Sequence, residues 1–486
     1  MPKYDGLTAF SAVFCGEAVS AGSVRSMQAK GVRRGDKRGI LLYNGRMKEK
    51  TTRDGAAPEK SGAAARGAAE RGTKRTRGAK KQKTFSLPHY LLLMAVCGVL
   101  RLRFGARSVL SESFRGQKKK GAMLVLSNHV SPFDFAWFTT PFLGRKVSFV
   151  VAETMKYSQP VFARLIDGYR AIVKKQFYAD YTCIKNIKRY LDSGVSVILC
   201  PEGKVSADGR TAPMAFSTAK LVKWLGYPVA SCVISGAGLT RPKWAHSSRT
   251  GGVVCTMDMM MSAEETRTLS AREVMDRITA SLAHNEHEWQ ERTGRVYDGK
   301  RYAEGLENVL YRCPACGEEF AMHAAGNAVM CEKCGFSAVY SRTGRILPAW
   351  RTGTVCPDRI DRWYDAIRES VRREVASPGF ALSEKVRLMA VNEKGNGYVR
   401  AAEGTLSLDR ENLVFRADAD KEKAENAPDS VTVPVRNLPT AATLPGVSLD
   451  ISGDGFVYRA VFLSRPASTK FALALEVMAE EENAVR

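Results

Sequence analysis

Two apolar runs, each opening onto a polar block, constrain this chain more than any other feature. Ala122-Met123-Leu124-Val125-Leu126 and Val195-Ser196-Val197-Ile198-Leu199-Cys200 have the length and unbroken hydrophobicity of strands buried on both faces of a sheet. The first leads into Asn128-His129-Val130-Ser131-Pro132-Phe133-Asp134, the second into Pro201-Glu202-Gly203-Lys204-Val205-Ser206. The mouth of an α/β sheet, just past its strand ends, is where ligands bind. An imidazole at His129 can take a proton from an alcohol at neutral pH, and a carboxylate at Asp134 can hold that ring in one tautomer. Ser131-Pro132-Phe133-Asp134 is equally a helix start, with Ser at the cap, Pro at the first helical position and an acid in the first turn. Asp134 therefore has a structural reading beside the chemical one.

The order of blocks resembles the glycerolipid acyltransferases, specifically the lysophosphatidate acyltransferase group. The likeness spans roughly residues 85 to 300. Between the H-x-x-x-x-D block and the P-E-G block, Asp167-Gly168-Tyr169-Arg170-Ala171-Ile172-Val173-Lys174-Lys175 takes the place of the family's second block. Gly226-Tyr227-Pro228-Val229-Ala230 takes the place of its fourth. In the third block the family's Phe, Thr and Arg are replaced by Cys200, Lys204 and Val205, while Ser206 matches. The second block's Arg is a Lys at 174 or 175. An ammonium binds phosphate as a point charge, not as a fork, so the phosphate contact differs from the family's. Lys204 or Arg210 fills the gap in this reading.

The resemblance implies an α/β acyltransferase domain, a mixed sheet flanked by helices, over residues 105–300. It implies transfer of a fatty acyl group from acyl-CoA or acyl carrier protein to the free hydroxyl of 1-acylglycerol 3-phosphate, giving phosphatidate. His129 would be the base and Asp134 its orienting acid; Lys174, Glu202, Gly203, Ser206 and Arg210 would form the acceptor site. Glycerol 3-phosphate or another lysophospholipid is the alternative acceptor. An inactive, non-enzymatic adaptor is the alternative class.

Charge and hydropathy agree with work at a phospholipid surface. The chain carries 74 Lys and Arg against 50 Asp and Glu, a net charge of +24, and residues 1–84 hold 20 basic and 7 acidic side chains. Such an excess favours anionic lipid. Residues 61–72 have no large apolar side chain, so 1–84 reads as a disordered basic tail. Residues 85–104 then bring an apolar stretch closed by Arg101 and Arg103. Pro88 and His89 leave it short for a spanning helix, so it is expected to lie in the interface, as in a peripheral or monotopic protein on the cytoplasmic face of the cell membrane. No cleavable signal pattern is evident, and nucleic acid is not expected as a partner.

Downstream, strands are expected near Val229–Ile234 and Gly252–Met259, and an amphipathic helix over Ser270–Trp289 with His284 and His287 on its surface. Cys313-Pro314-Ala315-Cys316-Gly317 and Cys331-Glu332-Lys333-Cys334-Gly335 are two C-x-x-C-G knuckles fourteen residues apart, the spacing of a zinc ribbon over 301–345. Four thiolates suit a structural Zn²⁺; two disulfides are the alternative. Ile360, Trp363, Tyr364, Ile367 and Val371 share one helix face in a linker over 346–384. From 385 to 486 short alternating runs and a closing helix at Thr469–Met478 suggest a mainly-β accessory domain, resembling a pleckstrin-homology barrel.

Overall fold

The computed structural model describes residues 84–175, 180–349, 356–453 and 455–485. The basic tail falls outside these, Thr84 apart. A seven-stranded sheet organises the first part: β1 (Arg107–Leu110), β2 (Leu124–Ser127), β3 (Val147–Ala152), β4 (Ile172–Lys174), β5 (Ser196–Leu199), β6 (Val229–Ser235) and β7 (Val254–Met261), in spatial order β1-β7-β6-β2-β5-β3-β4. The five strands from β6 to β4 run parallel, and β7 turns back antiparallel to β6. Both apolar runs are therefore neighbours, β2 beside β5, and their polar blocks emerge at one edge. Leu124, Val125, Leu126, Val197 and Ile198 are all buried, which is why neither strand alternates in sequence.

The helix Leu87–Phe104 lies against this sheet's helical layer. Tyr90, Cys97, Leu100 and Phe104 form its buried face, with Phe104 packed on Phe133 and Trp137 beside the Asp134–Thr139 helix. Leu87, Leu91, Leu92, Val99 and Leu102 are exposed on the opposite face. Among the described residues, nothing covers that apolar face.

The expected helix over Ser270–Trp289 is two helices, Ala271–Leu282 and Glu286–Thr293. Backbone pairing interrupts it: Thr211 N donates to His284 O at 3.0 Å and Glu286 N to Gly209 O at 2.9 Å. Asn285 caps the second helix by accepting from the amides of His287 and Glu288. The histidines are consequently not on the surface. His287 is buried, and so is the His284 side chain.

A four-stranded antiparallel sheet follows: β8 (Met322–Ala325), β9 (Ala328–Cys331), β10 (Ser337–Tyr340) and β11 (Ile346–Pro348). The helix Ile360–Ala376 then leads to a mostly-β region. Its seven antiparallel strands are β12 (Leu382–Val391), β13 (Tyr398–Leu408), β14 (Asn412–Ala417), β15 (Ser430–Pro434), β16 (Thr443–Leu444), β17 (Ser448–Gly453) and β18 (Phe456–Phe462), closed by the helix Ser468–Val485. One hydrophobic core runs from Trp244 and Tyr311 through Tyr340 and Trp363 to Phe415 and Phe471. The four-stranded sheet, the Ile360–Ala376 helix and the mostly-β region thus share their packing.

Candidate active site

His129 lies two residues past β2, in a turn held by hydrogen bonds from several sides. Asn128, fully buried, donates from Nδ2 to Ile234 O at 2.9 Å and accepts from Ile234 N at 2.8 Å, tying the turn to β6. His129 Nδ1 is 2.8 Å from Asp134 Oδ2. The same oxygen accepts from the amides of Val130 and Ser131 at 2.8 and 3.0 Å. Asp134 begins its helix yet turns its carboxylate back toward residues 129–131, so it serves the histidine turn and caps nothing in its own helix. Burial pushes its carboxyl above the usual range, opposed by the hydrogen bond and charge of His129 and by the two amides. The Asp134 side chain is fully buried while 27% of the His129 side chain is exposed, so the ring is open to a substrate and its partner is not.

The loop after β5 grips the backbone of the same histidine. Glu202 Oε1 accepts from His129 N at 2.8 Å and Glu202 Oε2 from Ala212 N at 2.7 Å. Ser206 N donates to His129 O at 2.8 Å. Burial pushes the Glu202 carboxyl up to about 7, against the pull of these two amides. Gly203 has φ of 72°, a left-handed conformation that a side chain would strain.

Residues 110–235 match the family model "Acyltransferase", an interval that holds both polar blocks and β2 to β6. This chain carries an acyltransferase-family domain. Among solved structures it is similar to the 1-acyl-sn-glycerophosphate (LPA) acyltransferase PlsC from Thermotoga maritima, at 17% identity and a TM-score of 0.35, over 42% of this chain and 80% of that one. It is also similar to the Ran binding domain of the nuclear complex component Nup2 from Ashbya gossypii, at 10% identity and a TM-score of 0.16, over 22% of this chain and 95% of that one. At these scores neither structure adds to the geometry. No curated protein sequence matches the chain significantly.

The acyltransferase domain brings His129, Asp134, Glu202, Gly203 and Ser206 together; it sets the expected cations apart. Arg210 is spent on carboxylates: its guanidinium forks onto Asp365 at 2.9 and 2.6 Å and donates from Nε to Asp208 at 2.7 Å. That pairing leaves the guanidinium facing two carboxylates, which oppose its expected role on the acceptor phosphate. Lys204 is paired with Glu476. Glu202 also differs from expectation, because both its oxygens bind backbone amides; it shapes the histidine turn from behind. Lys174 ends β4, three strand positions from β2 on the same edge, or about 14 Å. Its Nζ donates to Lys175 O at 3.1 Å.

Sequence reasoning missed several residues here. Glu286, buried, accepts from Gly236 N at 2.6 Å and Gly238 N at 3.0 Å just after β6, and sits with His287, Val130 and Ser206 around a small cavity. Asp365 and Glu476 act from far along the chain. Asn128 had a local signal, a buried-type amide adjoining the histidine; the others had none.

The four ribbon cysteines form a second site. The Sγ atoms of Cys313, Cys316, Cys331 and Cys334 all lie within 4.8 Å of one another, with Cys313–Cys334 at 3.6 Å and Cys316–Cys331 at 3.8 Å. A tetrahedron with metal–sulfur bonds of about 2.3 Å has edges of about 3.8 Å. The four thiols are free, and the cluster can hold a metal ion. Gly317 and Gly335, both at positive φ, close the knuckles by donating to the carbonyls of Cys313 and Cys331.

Proposed function

We propose that this protein transfers a fatty acyl group from a thioester donor, acyl-CoA or acyl carrier protein, to the free hydroxyl of 1-acylglycerol 3-phosphate, giving phosphatidate. The observation that carries the reading is the 2.8 Å contact of a reachable His129 with a buried Asp134, clamped from behind by the P-E-G loop. With Nδ1 engaged by Asp134, the other ring nitrogen, Nε2, takes the hydroxyl proton as the oxygen attacks the thioester carbon. The carbon–sulfur bond breaks and the imidazolium returns the proton to the departing thiolate. Asp134 stabilises the transient positive charge, and no covalent enzyme intermediate forms. Lys174 is the residue we assign to the acceptor phosphate, as a point charge. Gly203 and Ser206 line the acceptor side of the loop.

The exposed apolar face of Leu87–Phe104 supports seating on a bilayer, at the cytoplasmic face in our reading. The near-tetrahedral cysteine edges support a structural Zn²⁺, which has no part in the acyl transfer. Seven antiparallel strands closed by one helix support the pleckstrin-homology-like reading of the accessory domain.

The test supplies labelled acyl-CoA or acyl carrier protein to the full chain with a panel of glycerol 3-phosphate and lysophospholipids. Phosphatidate from 1-acylglycerol 3-phosphate is the expected product. Failure to esterify any acceptor with either donor rejects the reading. The same preparation should contain about one zinc ion per chain.

A further inference from the structure

Lys204 is one of the positions where the third block departs from the family, and it reaches across the molecule. It pairs with Glu476 on the C-terminal helix. Glu476 is itself fixed by Arg368 Nη2 at 2.8 Å and Thr440 Oγ1 at 3.0 Å. A second connection meets the same loop from the Ile360–Ala376 helix. Asp365 holds the Arg210 fork, Arg210 Nε holds Asp208 Oδ2, and Asp208 Oδ1 accepts from Ser206 Oγ at 3.1 Å. Both paths end on the segment that carries Glu202 and Ser206, the two residues bonded to the His129 backbone.

The loops around the site touch the mostly-β region elsewhere too. Lys243, after β6, is 3.5 Å from Thr443 Oγ1, and Tyr157, after β3, packs edge-on against Tyr398 with ring centroids 5.9 Å apart. Three exits of the parallel sheet, after β3, β5 and β6, therefore bear on the same C-terminal region. The helix supplying Asp365 is seated on the cysteine-bearing sheet, with Trp363 against Phe336 at 5.8 Å and Trp363 Nε1 donating to Arg312 O at 2.9 Å.

We propose that Glu476 and Asp365 are positioning residues for the acyl-transfer site: two C-terminal carboxylates that hold the third-block loop, and through it His129, in working geometry. The accessory region is then part of the catalytic apparatus in cis. The departure at Lys204 makes sense as one half of this clasp. Where the family's block has Thr, this chain carries a cation whose counter-charge comes from the last helix. The proposal rests on the acyltransferase reading above.

The experiment compares full-length wild type, Glu476→Gln, Asp365→Asn, the pair combined, and Lys204→Met, each with acyl-CoA and 1-acylglycerol 3-phosphate. Misplacing the base costs turnover, so kcat should fall about 10-fold for each single carboxylate variant and about 100-fold for the pair, with donor KM unchanged. Lys204→Met combined with Glu476→Gln should be no slower than either alone, because the two remove one interaction. Lys204→Arg, which keeps the charge, should recover most of the turnover, and melting temperature and metal content checked in each variant separate misplacement from unfolding. Wild-type turnover in the carboxylate pair overturns the proposal, as does a fall confined to melting temperature. A wild type that esterifies nothing sinks the acyltransferase reading itself, and the clasp with it.

Discussion

His129 and His287 both lie beside carboxylates, and their surroundings give them opposite characters. His129 faces Asp134 at 2.8 Å with more than a quarter of its side chain open to solvent. His287 is buried, its Nε2 3.0 Å from Asp208 O, with Asp361 nearby. Burial depresses the His287 basicity, while the Asp361, Asp208 and Glu286 charges push the other way. The pairing of ring and acid is common to both; access is not. A base must meet its substrate within hydrogen-bond reach, and only His129 can.

The sharpest way to break that contrast is to delete both rings in turn. His129→Ala should lower kcat about 10²- to 10⁴-fold, the range of a lost general base, with the melting temperature held near wild type because the ring is partly exposed. Turnover within tenfold of wild type would place the base elsewhere. His287→Leu should do the reverse. It strands the Asp208 carbonyl in the interior and costs about 1–3 kcal/mol of stability, read from denaturant unfolding, while kcat falls far less than for His129→Ala. Equal losses of turnover in the two variants would erase the distinction.

How far each region could be read from sequence follows from the distance between partners. His129 and Asp134 are five positions apart at the end of a continuously apolar strand, so both chemistry and location were written locally. The four cysteines were legible for the same reason, as two compact knuckles whose spacing brings the sulfurs together. The amphipathic pattern at 271–289, by contrast, concealed the break at Ala283–Asn285. Nothing in a helical period announces that residues 284–286 will pair with 209–211. The helical reading therefore puts His284 and His287 on the surface, and nothing singles out Glu286 between them, although it satisfies the buried amides of Gly236 and Gly238. The contacts of Arg210 with Asp365 and of Lys204 with Glu476 join residues more than a hundred positions apart, and single charges carry no pattern. Only the departure of Lys204 from the family's third block marked that place as different.

Glu202 supplies the finest test, because it sits behind the reachable histidine but has the burial of the hidden one. Its folded pKa of about 7 stands above the usual glutamate value of about 4.3. Between those two values the folded protein holds a proton that the unfolded chain has released. The stability linked to this proton is complete below about pH 4.3 and is lost as pH rises through 7. Wild-type melting temperature should therefore carry a downward component from about pH 5 to 7.5 that Glu202→Gln, unable to ionise, does not share. Glutamine keeps one acceptor for the His129 or Ala212 amide and turns its NH₂ toward the other, so the variant should begin below wild type at pH 5 and close the gap by pH 7.5. Parallel melting curves across that window would mean that Glu202 titrates as an ordinary surface acid, and that the loop behind His129 is far less sealed than its hydrogen bonds indicate.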